Sequence, residues 1–420
     1  MTNPATNSMT NSTTNYQAEY NLLTRRLTDE GVDVAAAEAR LKAQAVETPS
    51  WGYADSGTRF GAFRMAGAPR TVFEKFEDAA QAHRYTGIAP SVAVHIPWDA
   101  GADWSELSAY ARALGLSVGA VNPNVFQDFE YRFGSLGSAR PSVRDKAVAH
   151  MRECVAIMDT VGSKNLSLWF ADGTNFPGQG DMRARKRWFA EGLAEVYADL
   201  KDDQRMLIEY KPFEPAFYHT DIADWGMAYA FCVGLGERAQ VLVDLGHHLP
   251  GANIEHIVAF LLDEKRLGGF HFNNRKYADD DLTTGSVNPY ELYLIYTELV
   301  AGENDGVAGE VAYMIDESHT LKNKIAEMIQ SLVALQTAYA KALLVSQPAL
   351  AQARAAEDLV AAEEIIKSAF ATDVRPLLWK VRSDLALPDP ADPVRGFVQS
   401  SYAQAKAEER GVGGGAGLGA

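Results

Sequence analysis

Val241-Leu242-Val243-Asp244-Leu245-Gly246-His247-His248 is an unusual run for a buried strand. An unpaired carboxylate at the end of four apolar residues costs several kcal/mol, so Asp244 calls for a partner or a cation. His247, three residues on, could share one metal with it or hold an adjacent one. Similar groups close three other apolar runs: Glu209 in Ile208-Glu209-Tyr210-Lys211, His271 in Phe270-His271-Phe272-Asn273, and Asp316 in Met314-Ile315-Asp316. The loop acids Asp279, Asp280 and Asp281 follow His271. Glu209, Asp244, His271 and Asp316 would make an oxygen/nitrogen site suited to Mn²⁺, Co²⁺ or Mg²⁺. His247, Asp279 and Asp281 would make a second. Without cations, the three carboxylates of the first set would repel one another strongly. The set contains no thiolate, which disfavours structural zinc.

Each group also has a plainer reading. Asp279–Asp281 alone is commonly a solvated turn, and His271 a core histidine bonded to backbone. Glu209 could be neutralised by Lys211, two residues on along the same strand face. Asp316 could cap the following turn. Convergence on one mouth is what favours a two-metal site. Aromatic and polar residues join them there: Trp51, His95, Trp98, Phe126 and Trp169. Aromatic faces beside a polar mouth suit sugar binding, although barrels bury aromatics in any case.

Positioning these groups requires a repeated element. From about Thr58 the sequence alternates strand-like runs with amphipathic helical stretches. The predicted strands are 58–63, 91–98, 117–122, 165–171, 205–211, 240–245, 269–273 and 311–316. The predicted helices are 72–85, 105–114, 143–161, 184–200, 222–233, 254–265, 290–300 and 322–344. Eight such units predict an α/β fold, a (β/α)8 TIM barrel, with an open doubly wound sheet as the alternative. Gly234-Leu235-Gly236 imitates a dinucleotide fingerprint, but it follows a helix and precedes a strand, so it reads as a helix C-cap. The expected organisation is a disordered 1–15, N-terminal helices over 16–50 and a catalytic barrel over 51–345. A C-terminal helical extension over 346–410, clasping the barrel or a neighbouring subunit, and a flexible Gly-rich tail at 411–420 complete it.

Composition narrows the function. The chain of 420 residues is 47% hydrophobic and 22% charged, the profile of a soluble globular protein. Its 39 basic and 55 acidic residues give a net charge of −16, which argues against nucleic-acid binding. No apolar run predicts a membrane span or a secretory signal. Cys154 and Cys232 read as free buried thiols, and the expected location is cytoplasmic.

These residues, together with Pro49-Ser50-Trp51-Gly52, Gly57-Thr58-Arg59-Phe60, His95-Ile96-Pro97-Trp98-Asp99, Asp172-Gly173-Thr174-Asn175-Phe176-Pro177-Gly178-Gln179, Glu214-Pro215-Ala216-Phe217-Tyr218, Gly268-Gly269-Phe270-His271-Phe272-Asn273 and Asp279-Asp280-Asp281-Leu282, resemble the bacterial L-rhamnose isomerases of broad specificity. The resemblance runs from about Trp51 to residue 345 and continues loosely beyond. It implies an aldose–ketose isomerase acting on L-rhamnose and other aldoses such as D-allose, with two divalent ions, chiefly Mn²⁺ (Co²⁺, Mg²⁺ or Zn²⁺ as alternatives). Glu209, Asp244, His271 and Asp316 would hold a structural metal, and His247, Asp279 and Asp281 a catalytic one. Asp316 would assist transfer of the O2/O1 proton. The resemblance gives Lys211 to a substrate oxygen, His95 to ring opening, and Phe60 to a neighbouring subunit's site in a homotetramer. Asn274 and Tyr210 depart from the family pattern, where Asp and His are common. A metal-dependent epimerase, a two-metal phosphoesterase and a non-catalytic sugar-binding protein are the rival readings.

Overall fold

The computed structural model describes residues 4–55, 64–214, 218–276, 279–317 and 321–412. Eight parallel strands close a barrel: β1 (Glu47–Pro49), β2 (Ser91–Ile96), β3 (Ser117–Pro123), β4 (Asn165–Leu168), β5 (Arg205–Glu209), β6 (Ala239–Asp244), β7 (Leu267–Phe272) and β8 (Ala312–Ile315). The barrel therefore forms as expected, with one correction at its start. The first strand is Glu47–Pro49, upstream of Trp51, and the barrel closes without 58–63, which lies outside the described residues. Three residues ending in Pro are too short to show a period-two pattern. The β1–β8 seam has a single register pair, Glu47 with Met314, whereas β7 and β8 share four.

Side chains alternate along each strand, which decides what reaches the mouth. Trp51, Ala93, Ala120, Leu207, Leu242 and Met314 pack together inside the barrel. Two residues beyond five of these come His95, Asn122, Glu209, Asp244 and Asp316, on the same inward face and one layer nearer the C-terminal ends. His271 takes the matching place on β7, beside Asp244 in the β6–β7 register. Glu47 also points inward. Its Oε1 accepts from the Ala120 N–H at 2.9 Å, and a Cβ on Gly119 would lie 1.5 Å from Oε2, so any side chain there would have to displace the Glu47 carboxylate.

Most of the long helices around the barrel start on side-chain caps; Pro141–Val161 starts instead on a proline. Thr71, Asp103, Asp181, Asp224, Asn253, Asn288 and Asn323 each accept a backbone N–H of the first turn, worth about 1 kcal/mol apiece. The dinucleotide-like glycines do end a helix: Gly236 follows Trp225–Leu235 with φ of 135°. A small antiparallel sheet, Gly173–Thr174 with Phe213–Glu214 and Tyr218–Thr220, stands beside the mouth and was not foreseen.

At the N-terminus a helix spans Pro4–Asp29, reaching into the segment expected to be disordered. After the barrel, helices Gln347–Ala355, Leu359–Ala371, Arg375–Asp384, Pro393–Val398 and Tyr402–Arg410 follow. The last of them locks onto the helix Val72–Thr86. Arg410 is buried against Asp78 (2.8 Å) and Glu77 (3.1 Å), and the Gly67 N–H donates to Gly411 O at 2.8 Å. Gly411 and Val412 are thus paired with Gly67 and Ala66, in place of the flexible start expected for the tail. Cys154 and Cys232 are both buried and unbonded. Among the described residues no single helix is long and apolar enough to cross a membrane.

Candidate active site

One cavity of about 160 Å³ opens at the C-terminal ends of the strands. It is lined by Trp51, His95, Trp98, Asn122, Phe126, Trp169, Glu209, Lys211, His247, His271, Asp279, Asp281 and Asp316. All the expected site residues within the described chain line it except Asp244, which lies beneath it; Phe60 lies outside the described residues. Asn122 was not anticipated.

Among the described residues, two groups of ligand atoms lie within metal-binding reach, each spanning no more than 4.8 Å. Glu209, Asp244, His271 and Asp316 form the first, as the strand ends predict. Asp244, His247 and Asp279 form the second, so Asp244 belongs to both. Asp281 lines the cavity without joining either cluster, unlike the expected set.

Electrostatics show why the cluster suits cations. His271 Nδ1 lies 3.2 Å from Glu209 Oε2, 3.7 Å from Asp316 Oδ2 and 3.9 Å from Asp244 Oδ2, yet is buried without a well-directed hydrogen bond. Burial opposes the charge of both imidazoles, but the carboxylates around them raise the His271 and His247 pKa values. Burial together with neighbouring acids pushes the Asp281 and Asp244 carboxyls up. Burial opposes ionisation of Glu209 and Asp279 as well, but the adjoining imidazoles hold both carboxyls low; protons thus gather on the imidazoles, Asp244 and Asp281, and a divalent ion could replace them. A mixed carboxylate–imidazole donor set without thiolate fits Mn²⁺-, Co²⁺- or Mg²⁺-like ions.

Surrounding residues orient the donors. The Asn273 amide donates to Asp244 at 3.0 and 3.2 Å, and the Gly246 N–H donates to Asp244 Oδ1 at 2.6 Å. His247 Nδ1 lies 3.0 Å from Tyr210 O, an arrangement that leaves Nε2 facing Asp279. The Tyr210 hydroxyl pairs with His248 Nε2 at 2.6 Å, which places both behind the metal-facing groups. Asn274 Oδ1 accepts the N–H groups of Val287 and Asn288 at 2.8 and 3.1 Å, and its backbone bridges to Leu282. That staples the two ends of the acidic loop. Glu209 is not neutralised by Lys211: it faces His247 and His271, while Lys211 Nζ reaches Asp279 Oδ2 at 2.6 Å and sits 5.0 Å from the Trp169 ring centre.

The opposite wall is aromatic. His95 stacks on Trp98 with centroids 3.8 Å apart, and Phe126 meets Trp169 edge-on at 4.7 Å. β4 ends at Leu168, so Trp169 projects from the residue after the strand. Behind His95, Asp99 accepts from Lys75 Nζ (2.7 Å), Ser50 Oγ (2.5 Å) and the His95 N–H (2.8 Å). Burial, with help from Lys75 and His150, lowers the His95 pKa to about 3, so its ring is neutral at pH 7.

The chain belongs to the xylose isomerase-like TIM barrel family, whose pattern matches residues 76–294. It is 43% identical over 407 residues to a Rhizobium meliloti (strain 1021) protein named a probable sugar isomerase, covering 95% of this chain and 94% of that one. The xylose isomerase of Thermus thermophilus is 26% identical over 222 residues, 51% of this chain and 56% of that enzyme. Among solved structures, an L-ribulose 3-epimerase aligns with a TM-score of 0.55 at 15% identity, covering 72% of this chain and 98% of its own. A likeness at that identity establishes the shared fold.

Proposed function

We propose that this chain is a divalent-metal-dependent aldose–ketose isomerase that interconverts L-rhamnose and L-rhamnulose and accepts other aldoses such as D-allose. The observation that carries the reading is a pair of ligand clusters sharing Asp244 and facing an aromatic wall across one cavity. The names of the relatives and the resemblance in sequence support the same class. The protein would work in the cytoplasm as a homotetramer.

In the reaction, hydrogen moves from C2 to C1 while the O2 proton passes to O1. Divalent cations held by the two clusters, with Mn²⁺ the first choice, would supply Lewis acidity to adjacent sugar oxygens. Asp316, fixed at one oxygen by Trp51, is placed to take the O2 proton and return it at O1. Lys211 would donate to a sugar oxygen from its place between Asp279 and Trp169. His95, neutral and flat on Trp98, could exchange a proton at the ring oxygen. The aromatic wall packs against sugar C–H faces and keeps water from the reacting carbons.

A ketose epimerase is the second reading. It commonly needs an acid and a base on opposite faces of one carbon, often two glutamates. Among the described residues Glu209 is the only glutamate lining the cavity, because Glu47 is engaged with Ala120 N below it. That favours isomerisation. The test is ketose formation from L-rhamnose, D-allose, L-mannose and L-lyxose, before and after chelation and on return of Mn²⁺. Ketose from none of them, with C3 epimerisation of a ketose instead, would overturn the proposal. Deuterium at C2 retained in product marks a hydride shift; exchange with water marks an enediol.

A further inference from the structure

A second cavity, of about 130 Å³, lies beyond Phe126, whose ring also lines the first. Its wall includes Tyr131, Arg132, Asp172, Asn175 and Gln179. Asp172 is committed to the scaffold, accepting from Ser135 Oγ and the Gly137 N–H at 2.7 Å each. Arg132 and Asn175 are exposed and carry donors at the rim. The Arg132 guanidinium lies 4.0 Å from the Phe129 ring centre and gives an N–H to Phe129 O. In sequence the wall is flanked by large exposed aromatics: Phe129 is 75% exposed, Phe133 56% and Phe176 72%. Hydroxyl-binding groups beside aromatic faces are the two needs of a carbohydrate subsite.

Barrel order supplies the direction. The acids and the imidazoles of the two ligand clusters come from β5 to β8 and their loops, and the aromatics, with His95, from β1 to β4 and theirs. A sugar held by C1 and C2 at the first wall would direct its far end toward the second. Phe126 belongs to that aromatic wall and lines both cavities, so it is the point at which the two adjoin.

Building on the isomerase reading, we infer that this cavity is a second sugar subsite, taking a glycosyl unit joined to the distal end of the aldose. Reducing oligosaccharides are then ligands, with the reducing unit in the metal pocket and the next unit past Phe126.

Calorimetric titration of the Mn²⁺-loaded protein tests this with D-glucose, the 4-linked disaccharides maltose and cellobiose, and the 6-linked melibiose and gentiobiose. At least one disaccharide should bind five-fold or more tighter than glucose. Arg132→Ala/Asn175→Ala should erase that gain while leaving glucose affinity unchanged. Disaccharides binding no tighter than glucose, or a gain that survives the double variant, would overturn the subsite. Kinetics separate the two proposals. If no aldose yields a ketose but the gain and its loss are observed, the subsite stands and the isomerase reading falls; turnover of monosaccharides with no gain does the reverse.

Discussion

Trp51 donates its indole N–H to Asp316 Oδ1 at 2.8 Å, joining residues 265 positions apart. The contact ties the first turn after β1 to the residue after β8, where the barrel seam has its single register pair. Trp51→Phe keeps the aromatic wall and removes the donor. Loss of a hydrogen bond to a charged group costs about 1.5–3 kcal/mol, so kcat/KM should fall roughly 10- to 100-fold, chiefly through kcat. An unchanged kcat would show that Asp316 needs no such support.

Because Asp244 serves both ligand clusters, its removal should empty both. Mass spectrometry of metal content should find two ions per subunit in the parent protein and none in Asp244→Ala. His247→Ala should retain one, since the first cluster stays whole. Two ions bound to Asp244→Ala would refute the shared ligand.

Chelation offers a parallel measurement on the unaltered chain. A divalent ion that binds only the folded state adds about 2.7 kcal/mol at a hundred times its Kd. Removing it should lower the melting temperature, and Mn²⁺ should restore it where Na⁺ at equal ionic strength does not.

Asn274 stands where the resemblance leads us to expect Asp, and its role is legible in the loop it staples. Asn274→Asp preserves the acceptor for Val287 and Asn288 N–H and should retain activity within a few-fold. Asn274→Leu leaves two backbone donors without their partner, at a cost of about 1–3 kcal/mol each where water cannot replace it. Activity should fall, with faster hydrogen exchange over residues 279–288. Equal activity in the two variants would remove the residue from this role.

His95 makes stability depend on pH in a defined direction. Burial holds its folded pKa at about 3, against about 6.5 in the unfolded chain. Between those values the unfolded state binds more protons. Stability is therefore complete above pH 6.5 and declines as pH falls toward 3, approaching about 1.4 kcal/mol per pH unit. Urea midpoints measured from pH 7 to 4 should show a shallower decline in His95→Gln. Identical slopes would mean that other groups govern the acid limb.

Much of the site was legible because acids and imidazoles at the ends of apolar strands need an explanation beyond packing. Glu209, Asp244, His271 and Asp316 obey the inward period of β5 to β8, and sequence shows them as polar residues in or at the ends of apolar runs. The opening strand was hidden for the opposite reason, since Glu47–Pro49 is three residues long and carries no alternation. Sharing of Asp244, the exclusion of Asp281 from either cluster and the Trp51–Asp316 bond are relations among side chains from different elements. Alternation on one strand holds no information about its neighbour's reach. The small sheet at residues 173–174, 213–214 and 218–220 escaped for a similar reason, its strands being two or three residues long and the first pairing across a long intervening stretch.

The clasp at Arg410 and Gly411 sets an order on biosynthesis. Gly67 and Ala66 meet their partners only when a stretch about 343 positions later has left the ribosome. The barrel strands are all made before that, so the segment entering the helix Val72–Thr86 is secured only after the barrel has been synthesised.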